Sequence, residues 1–349
     1  MDIHNATTEA VSLLKRLIAT PSVSRDEKAA ADILESYLKS HGCKTSRLGN
    51  NVWTKSTHFD TGHPAILLNA HIDTVKPVSG WQHDPFTPVM EEGGKLYGLG
   101  ANDCGGGLMA LLQVFLMLRD THSNLIYLAS CEEEVSGKQG IESVLPLLPA
   151  IDFAIVGEPT GMQPAIAEKG LMVVDAIARG VSGHAARDEG VNAIYEAIED
   201  IRRIQQSHLN RQSPLLGPVK MTVTMISAGT QHNVIPDECR FTIDIRSNEC
   251  YTNEEIFAML QQHLKSELTA RSFRLNSSSI SADHPFVKKC VERGMLPFGS
   301  PTLSDQALMR FPSLKLGPGD SRRSHTADEY IFVSEIEDAI KTYYDLLCE

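Results

Sequence analysis

The chain is expected to be an α/β protein whose larger domain carries a mostly parallel mixed sheet flanked by helices, interrupted by a smaller inserted domain. Three observations lead there. Short apolar runs at Ala65–Leu68, Leu125–Ala129 and Phe153–Val156 have the length and composition of buried strands, with an apolar helical stretch, Leu108–Leu118, between the first two. Acids follow each run, with an imidazole as well after the first, where open α/β sheets gather their sites. From about Gly170 the pattern changes to a strand, helix, strand, strand, helix, strand order.

Taken in order, residues 6–19 place Val11, Leu14, Leu17 and Ile18 at helical spacing, and beyond Pro21 a second helix carries Ala30, Ile33, Leu34, Tyr37 and Leu38. Both are amphipathic surface helices. The strand runs and the Leu108–Leu118 helix follow. The inserted segment then offers strand Met172–Ala178, helix Asn192–Gln205, strands Met221–Ile226 and Arg240–Ile245, helix Asn253–Leu264 and strand Ser272–Leu275. That β-α-β-β-α-β order is the ferredoxin-like split unit. Residues 1–169 and 279–349 are therefore assigned to the larger domain and 170–278 to the insert.

Composition narrows the function. With 349 residues, 42% hydrophobic and 22% charged, the chain has the make-up of an ordinary globular protein. Lys and Arg number 32 against 44 Asp and Glu, a formal charge of −12, which argues against nucleic acid as a partner. No basic, apolar leader stands at the N-terminus, and no apolar run approaches the roughly 20 residues of a membrane span. The seven cysteines (Cys43, Cys104, Cys131, Cys239, Cys250, Cys290 and Cys348) are odd in number and lack paired metal-finger spacing. They read as reduced thiols of a cytoplasmic protein.

Five separated segments end in metal-seeking side chains: His71-Ile72-Asp73, Asp103, Glu132-Glu133-Glu134, Glu158 and His325. Two imidazoles with several carboxylates form a mixed N/O set suited to Zn²⁺, in the outline of a two-metal hydrolase. His71 and Asp73 stand two apart on an extended segment, so their side chains leave one face. Asp103 opens a glycine-rich turn into a helix, where it could also be an ordinary N-cap.

The surrounding strings carry a family resemblance. Leu68-Asn69-Ala70-His71-Ile72-Asp73-Thr74-Val75, Trp81 with Asp84-Pro85-Phe86, Gly98-Leu99-Gly100-Ala101-Asn102-Asp103 before Gly105-Gly106-Gly107, and Glu133-Glu134-Val135-Ser136-Gly137-Lys138-Gln139-Gly140 occur in order. Together they resemble the dinuclear zinc amidohydrolases that include aminoacylase, acetylornithine deacetylase, succinyl-diaminopimelate desuccinylase and glutamate carboxypeptidase. The resemblance runs from about Leu13 to the C-terminus. Gly157-Glu158-Pro159-Thr160, Ser182-Gly183-His184, Gly190-Val191-Asn192 and Leu316-Gly317-Pro318-Gly319 with His325 and Asp328-Glu329-Tyr330 look most like the acetylornithine deacetylase branch.

The resemblance implies two Zn²⁺ per chain, with Co²⁺ as a substitute. It makes Asp103 the bridge, His71 and Glu158 the ligands of one ion, and Glu134 and His325 those of the other. Asp73 would fix the His71 tautomer through its carboxylate, and Glu133 would be the general base. The alternative register, Glu132 as base and Glu133 as ligand, stays open. A Lys often stands two residues after the bridging Asp in such proteins; here that position is Gly105, with Cys104 between. His184 would stabilise the oxyanion from the insert, reaching the partner subunit's site. Arg246 and Asn233 would face the substrate, and Gly319 lies in a loop whose amides suit an anionic substrate end. Thr302, Ser304 and Asp305 receive no role, while Arg322 and Arg323 are candidates for an acyl carboxylate. The expected activity is hydrolysis of an N-acyl amino acid, foremost N-acetylornithine, by a homodimer joined through the insert. The alternatives are a desuccinylase, a zinc di- or exopeptidase, and a catalytically silent metal-binding scaffold.

Overall fold

The computed structural model describes residues 2–121, 124–187, 189–207 and 209–348. The described residues form two compact units, one drawn from 2–166, 280–298 and 304–348, the other from 167–279 and 299–303.

The larger unit is built on a mixed sheet whose strands run in the spatial order Thr45–Leu48, Asn51–Lys55, Leu125–Ser130, Ala65–His71, Ile151–Val156, Ser313–Lys315 and Ala165–Glu168, the last two residues of which belong to the smaller unit. The four central strands are mutually parallel, and the pairings toward both ends are antiparallel. Leu125–Ser130 is buried along its whole length, as a strand covered on both faces must be. Helix Gly106–Leu118 is also buried on nearly every side. Its stretch Ala101–Leu118 has the length and composition to cross a membrane, but 83% of it is buried inside the protein, so it is a core helix. Helix Ile3–Ile18 turns Ala6, Ala10, Leu13, Leu14 and Ile18 into the same core at i, i+3/i+4 spacing. Asp2 caps it by accepting the His4 N–H at 3.2 Å.

The first core strand is longer than the sequence suggested, continuing through Asn69 and Ala70 to His71. Buried Asn69 is tolerated because its amide donates to Ser130 Oγ at 2.9 Å and to the Leu128 carbonyl. The carboxyl ends of the parallel strands deliver His71, Ser130, Val156 and Lys315 to one edge.

The smaller unit has a four-stranded antiparallel sheet in the order Lys220–Ala228, Glu238–Arg246, Met172–Arg179, Glu267–Ala270, with helices Ala193–Gln206 and Asn253–His263. Its core is a separate cluster that includes Val174, Phe241, Ile243 and Ile256. One expected strand is corrected. The last lies at Glu267–Ala270, where Leu268 and Ala270 alternate toward the core, and not at Ser272–Leu275. Phe273 packs on the same cluster without being in a strand, against Phe257 at 5.2 Å, and its bulk produced the misleading signal.

Candidate metal centre

His71 ends its strand and is almost fully buried. Its Nε2 lies 3.2 Å from Asp103 Oδ1 and 3.6 Å from Glu158 Oε1. The other Asp103 oxygen, Oδ2, stands 3.5 Å from His325 Nε2, which is 3.0 Å from Glu134. One carboxylate thus turns an oxygen to each of two imidazoles, and each imidazole has a second acid beside it.

The local sequence explains this convergence. Asp103 sits in a turn just before helix Gly106–Leu118. A Cβ at Gly107 would stand 1.7 Å from the Gly157 carbonyl oxygen, so only glycine allows the two backbones to meet and bring Glu158 beside Asp103. Buried Glu329 holds the turn, accepting N–H bonds from Gly100, Asn102 and Asp103 at 3.1, 2.8 and 2.9 Å. In the sequence Glu329 shows only as the middle of the Asp328-Glu329-Tyr330 string.

The three consecutive glutamates diverge. Glu132 is left-handed, with φ 56°, and its side chain folds back over Gly137 to accept the Gln139 N–H at 3.4 Å. Glu134 meets His325, while Glu133 and Glu134 offer oxygens within 4.8 Å of His71.

One detail of the expected arrangement is corrected. His71 Nδ1 bonds the main-chain carbonyl of Asp73 at 2.8 Å, whereas the nearer Asp73 carboxylate oxygen is 3.6 Å away. That carboxylate instead accepts the N–H groups of Glu133 and Glu134 at 3.0 and 3.1 Å and the Ser24 hydroxyl at 2.7 Å. The carbonyl still fixes the ring's tautomer and leaves Nε2 facing the acids.

Electrostatics mark the cluster as one in need of cations. Burial and the neighbouring Asp103 push Glu158 up to about 8, and burial with the charges of Glu158, Asp305 and Glu134 drives Glu133 well above the usual carboxylate range. Burial opposes ionisation of Asp103 too, but its hydrogen bond and charge contact with His71 keep it below its usual value. The Glu134 hydrogen bond raises His325 to about 9. Glu158 Oε1 is buried with no hydrogen-bond partner. A buried acceptor without a donor is costly, and a divalent cation between the acids and imidazoles removes that cost, so the donor set fits metal. Cys104, although close, has another task. Burial pushes its thiol up to about 12, and its sulfur accepts the His71 N–H at 3.2 Å behind the site.

Asp305 accepts the Ser130 hydroxyl at 2.6 Å, and its charge acts on Glu133. Lys315, which the sequence does not single out, is buried where its charge acts on Glu158. Arg323 is committed to Glu335 at 2.7 Å and stacks 4.5 Å from the Tyr330 ring, while Arg322 pairs with Asp320. The Gly317–Gly319 loop is tied inward: the Gly317 and Asp320 amides donate to Thr160 Oγ1 and Asn102 Oδ1, so those two are not available to a substrate. A Cβ on Gly319 would meet Asn102 Oδ1 at 2.2 Å, and its φ is 86°, so this glycine serves the turn. In the smaller unit, Gly183–His184 pairs with Val234–Ile235, and the Ala185 N–H donates to the Asn233 carbonyl at 3.0 Å, bringing His184 and Asn233 together. Arg246 is held by Asp244 at 2.9 Å.

Residues 67–349 match the sequence model of peptidase family M20/M25/M40. Succinyl-diaminopimelate desuccinylase of Anaplasma marginale is 29% identical over an alignment covering 71% of this chain and 70% of that protein. Acetylornithine deacetylase of Proteus mirabilis is 28% identical, with 94% of this chain and 93% of that protein covered. The YXEP protein of Bacillus subtilis, a dinuclear metal binding peptidase from the M20 family, superposes with a TM-score of 0.71 at 15% identity over 99% of this chain and 98% of its own.

Proposed function

Because this chain belongs to peptidase family M20/M25/M40 and is a hydrolytic enzyme, we propose that it cleaves the amide bond of an N-acyl amino acid, N-acetylornithine foremost, with two divalent cations. One observation carries the reading: Asp103 faces His71 with one oxygen and His325 with the other, and Glu158 and Glu134 complete two separate sets. His71, Asp103 and Glu158 would hold one ion, and Asp103, Glu134 and His325 the other. The mixed imidazole and carboxylate donors suit Zn²⁺, with Co²⁺ as a substitute. Such ions polarise a scissile carbonyl and acidify a water.

The protein's own groups account for the proton traffic. Glu133, a carboxyl whose proton affinity is raised by burial, takes the proton of the attacking water as its oxygen bonds to the carbonyl carbon. It then delivers that proton to the leaving nitrogen as the C–N bond breaks, releasing a carboxylate and the free amino acid. His184 Nδ1 accepts the Ala186 N–H at 3.1 Å, which leaves its Nε2 as a donor for the developing oxyanion. Arg246 and Asn233 are assigned to the substrate side. The smaller unit is assigned as lid and dimer surface, a reading supported by its edge strand Lys220–Ala228, where Met225 and Ile226 are exposed. Unpaired thiols at all seven cysteines agree with a cytoplasmic setting.

Matched N-acetyl-ornithine, N-succinyl-ornithine and dipeptide substrates test the choice. We expect kcat/KM for the acetyl compound to exceed the others by about tenfold or more; a dipeptide turned over fastest makes the enzyme a peptidase. A desuccinylase is the second reading, since relatives of both names match at nearly equal identity. Arg322, with its side chain 88% exposed, is the candidate partner for a succinyl carboxylate.

The part assigned to His184 has its own test. Mixing His184→Ala and Glu133→Gln chains under subunit exchange should recover activity approaching about a quarter of wild type, since about half of the dimers are mixed and each has one intact composite site. No recovery in verified heterodimers places His184 with its own chain's site or outside the reaction.

A further inference from the structure

Three consecutive backbone amides at the glutamate turn point at two buried carboxylates. Those of Glu133 and Glu134 reach Asp73, and that of Glu132 donates to Glu27 Oε1 at 3.2 Å. Glu27 is fully buried, 0% exposed, and its other bonds are to the Arg25 N–H at 2.5 Å and the Asn50 side-chain amide at 2.9 Å. Ser24, three residues earlier, supports the other carboxylate, donating to Asp73 Oδ2 at 2.7 Å. The same short segment is anchored to the metal-centre loop by a bridge between Val23 and Thr74. This segment precedes the residues 67–349 that carry the family match.

The turn needs such support. Glu132 sits at φ 56° and Ser136 at φ 44°, left-handed conformations that non-glycine residues hold only where the surroundings fix them. Successive amides in this geometry form a concave anion site, here filled by the protein's own acids. The direction in which Glu133 and Glu134 leave the backbone depends on that turn.

We infer that Glu27 is a positioning residue for the reaction: resting on the function proposed above, it fixes the Glu132 amide and with it the aim of Glu133. Glutamine at position 27 keeps the volume but replaces the oxygen facing Asn50 with a donor, weakening the clamp. Glu27→Gln should therefore lower kcat by about 10- to 100-fold, as loss of a partner supporting a reacting group does, with KM within about twofold and two cations still bound. The double variant Glu27→Gln/Glu133→Gln should be no slower than Glu133→Gln alone, because without the base its aim no longer matters. Losses that multiply indicate a general structural role and overturn the inference, as does a kcat within twofold of wild type.

Hydrogen exchange supplies a readout that needs no substrate. Glu27→Gln should speed amide exchange of the Glu132–Glu134 turn by about tenfold while the strand Leu125–Ser130 stays protected; unchanged exchange of the turn sinks the inference even if the enzyme's substrate proves to be something else. If Glu27→Gln does not fold, Asn50→Ala serves in its place. It removes the side-chain donor to Glu27 Oε2 and should give the same pattern at smaller amplitude, whereas wild-type exchange and kcat in that variant overturn the clamp. Wild-type protein that cleaves none of the amides, with the turn loosened in the variant, instead counts against the proposed function alone.

Discussion

Glu133→Gln is expected to lower kcat by a factor of about 10² to 10⁴, the usual contribution of a general base, while both cations remain bound. The expectation follows from how the three glutamates divide. Glu132 returns its carboxylate to the Gln139 amide in its own loop, and Glu134 is engaged with His325. Glu133 has neither tie, and burial together with Glu158, Asp305 and Glu134 raises its affinity for a proton. Glutamine preserves the shape and the Asp73-bound amide of residue 133 but cannot carry a proton from water to nitrogen. Glu134→Gln should instead lose one equivalent of metal, and Glu132→Gln should stay near wild type. Metal analysis and single-turnover rates of the three variants separate these outcomes. A dead Glu132→Gln enzyme beside a Glu133→Gln enzyme short of one cation would move the register by one residue.

What the sequence reveals and conceals here follows from the range of each signal. The buried strands are legible because a strand covered on both faces is apolar without interruption, as Leu125–Ala129 is. Asn69 interrupts the first strand's pattern, and only its bonds to Leu128 and Ser130, some 60 residues away in the chain, keep it within the sheet. Phe273 misleads in the opposite sense, since apolar packing does not require a strand. At the site, His71, Asp103, Glu134, Glu158 and His325 stand out by residue type and order. Glu27 does not, and Glu329 shows only as part of the Asp328-Glu329-Tyr330 string with its task hidden, because a carboxylate that accepts backbone N–H groups 105 or 226 residues away leaves no local sign of them. Asp73 shows the same limit: its spacing from His71 suggested a carboxylate–imidazole bond, but the amides of the glutamate turn compete for that carboxylate and take it.

Stripping the protein with a chelator should abolish activity, and two equivalents of cation per chain should restore it. Two follow from Asp103, whose oxygens face different imidazoles, so that filling one set leaves the other short of charge compensation. His325→Ala should accordingly bind one equivalent and lose nearly all turnover. The pH dependence of loading has a definite sign. Without cations Glu158 titrates at about 8, through burial and the nearby Asp103, and His325 at about 9, through its bond to Glu134. Both ligate only when deprotonated, so below these values each incoming ion must displace a proton. Apparent affinity should therefore rise with pH through 8 and 9 and level off above. Calorimetric titration near pH 7 should show proton release, read as a dependence of the heat on the ionisation enthalpy of the buffer. Full activity at a single equivalent would remove the two-ion mechanism. Affinity independent of pH between 6 and 9 would mean that no proton leaves Glu158 or His325 as the ions bind, and retention of both ions in Glu158→Gln and His325→Ala would remove the two residues from the ligand sets.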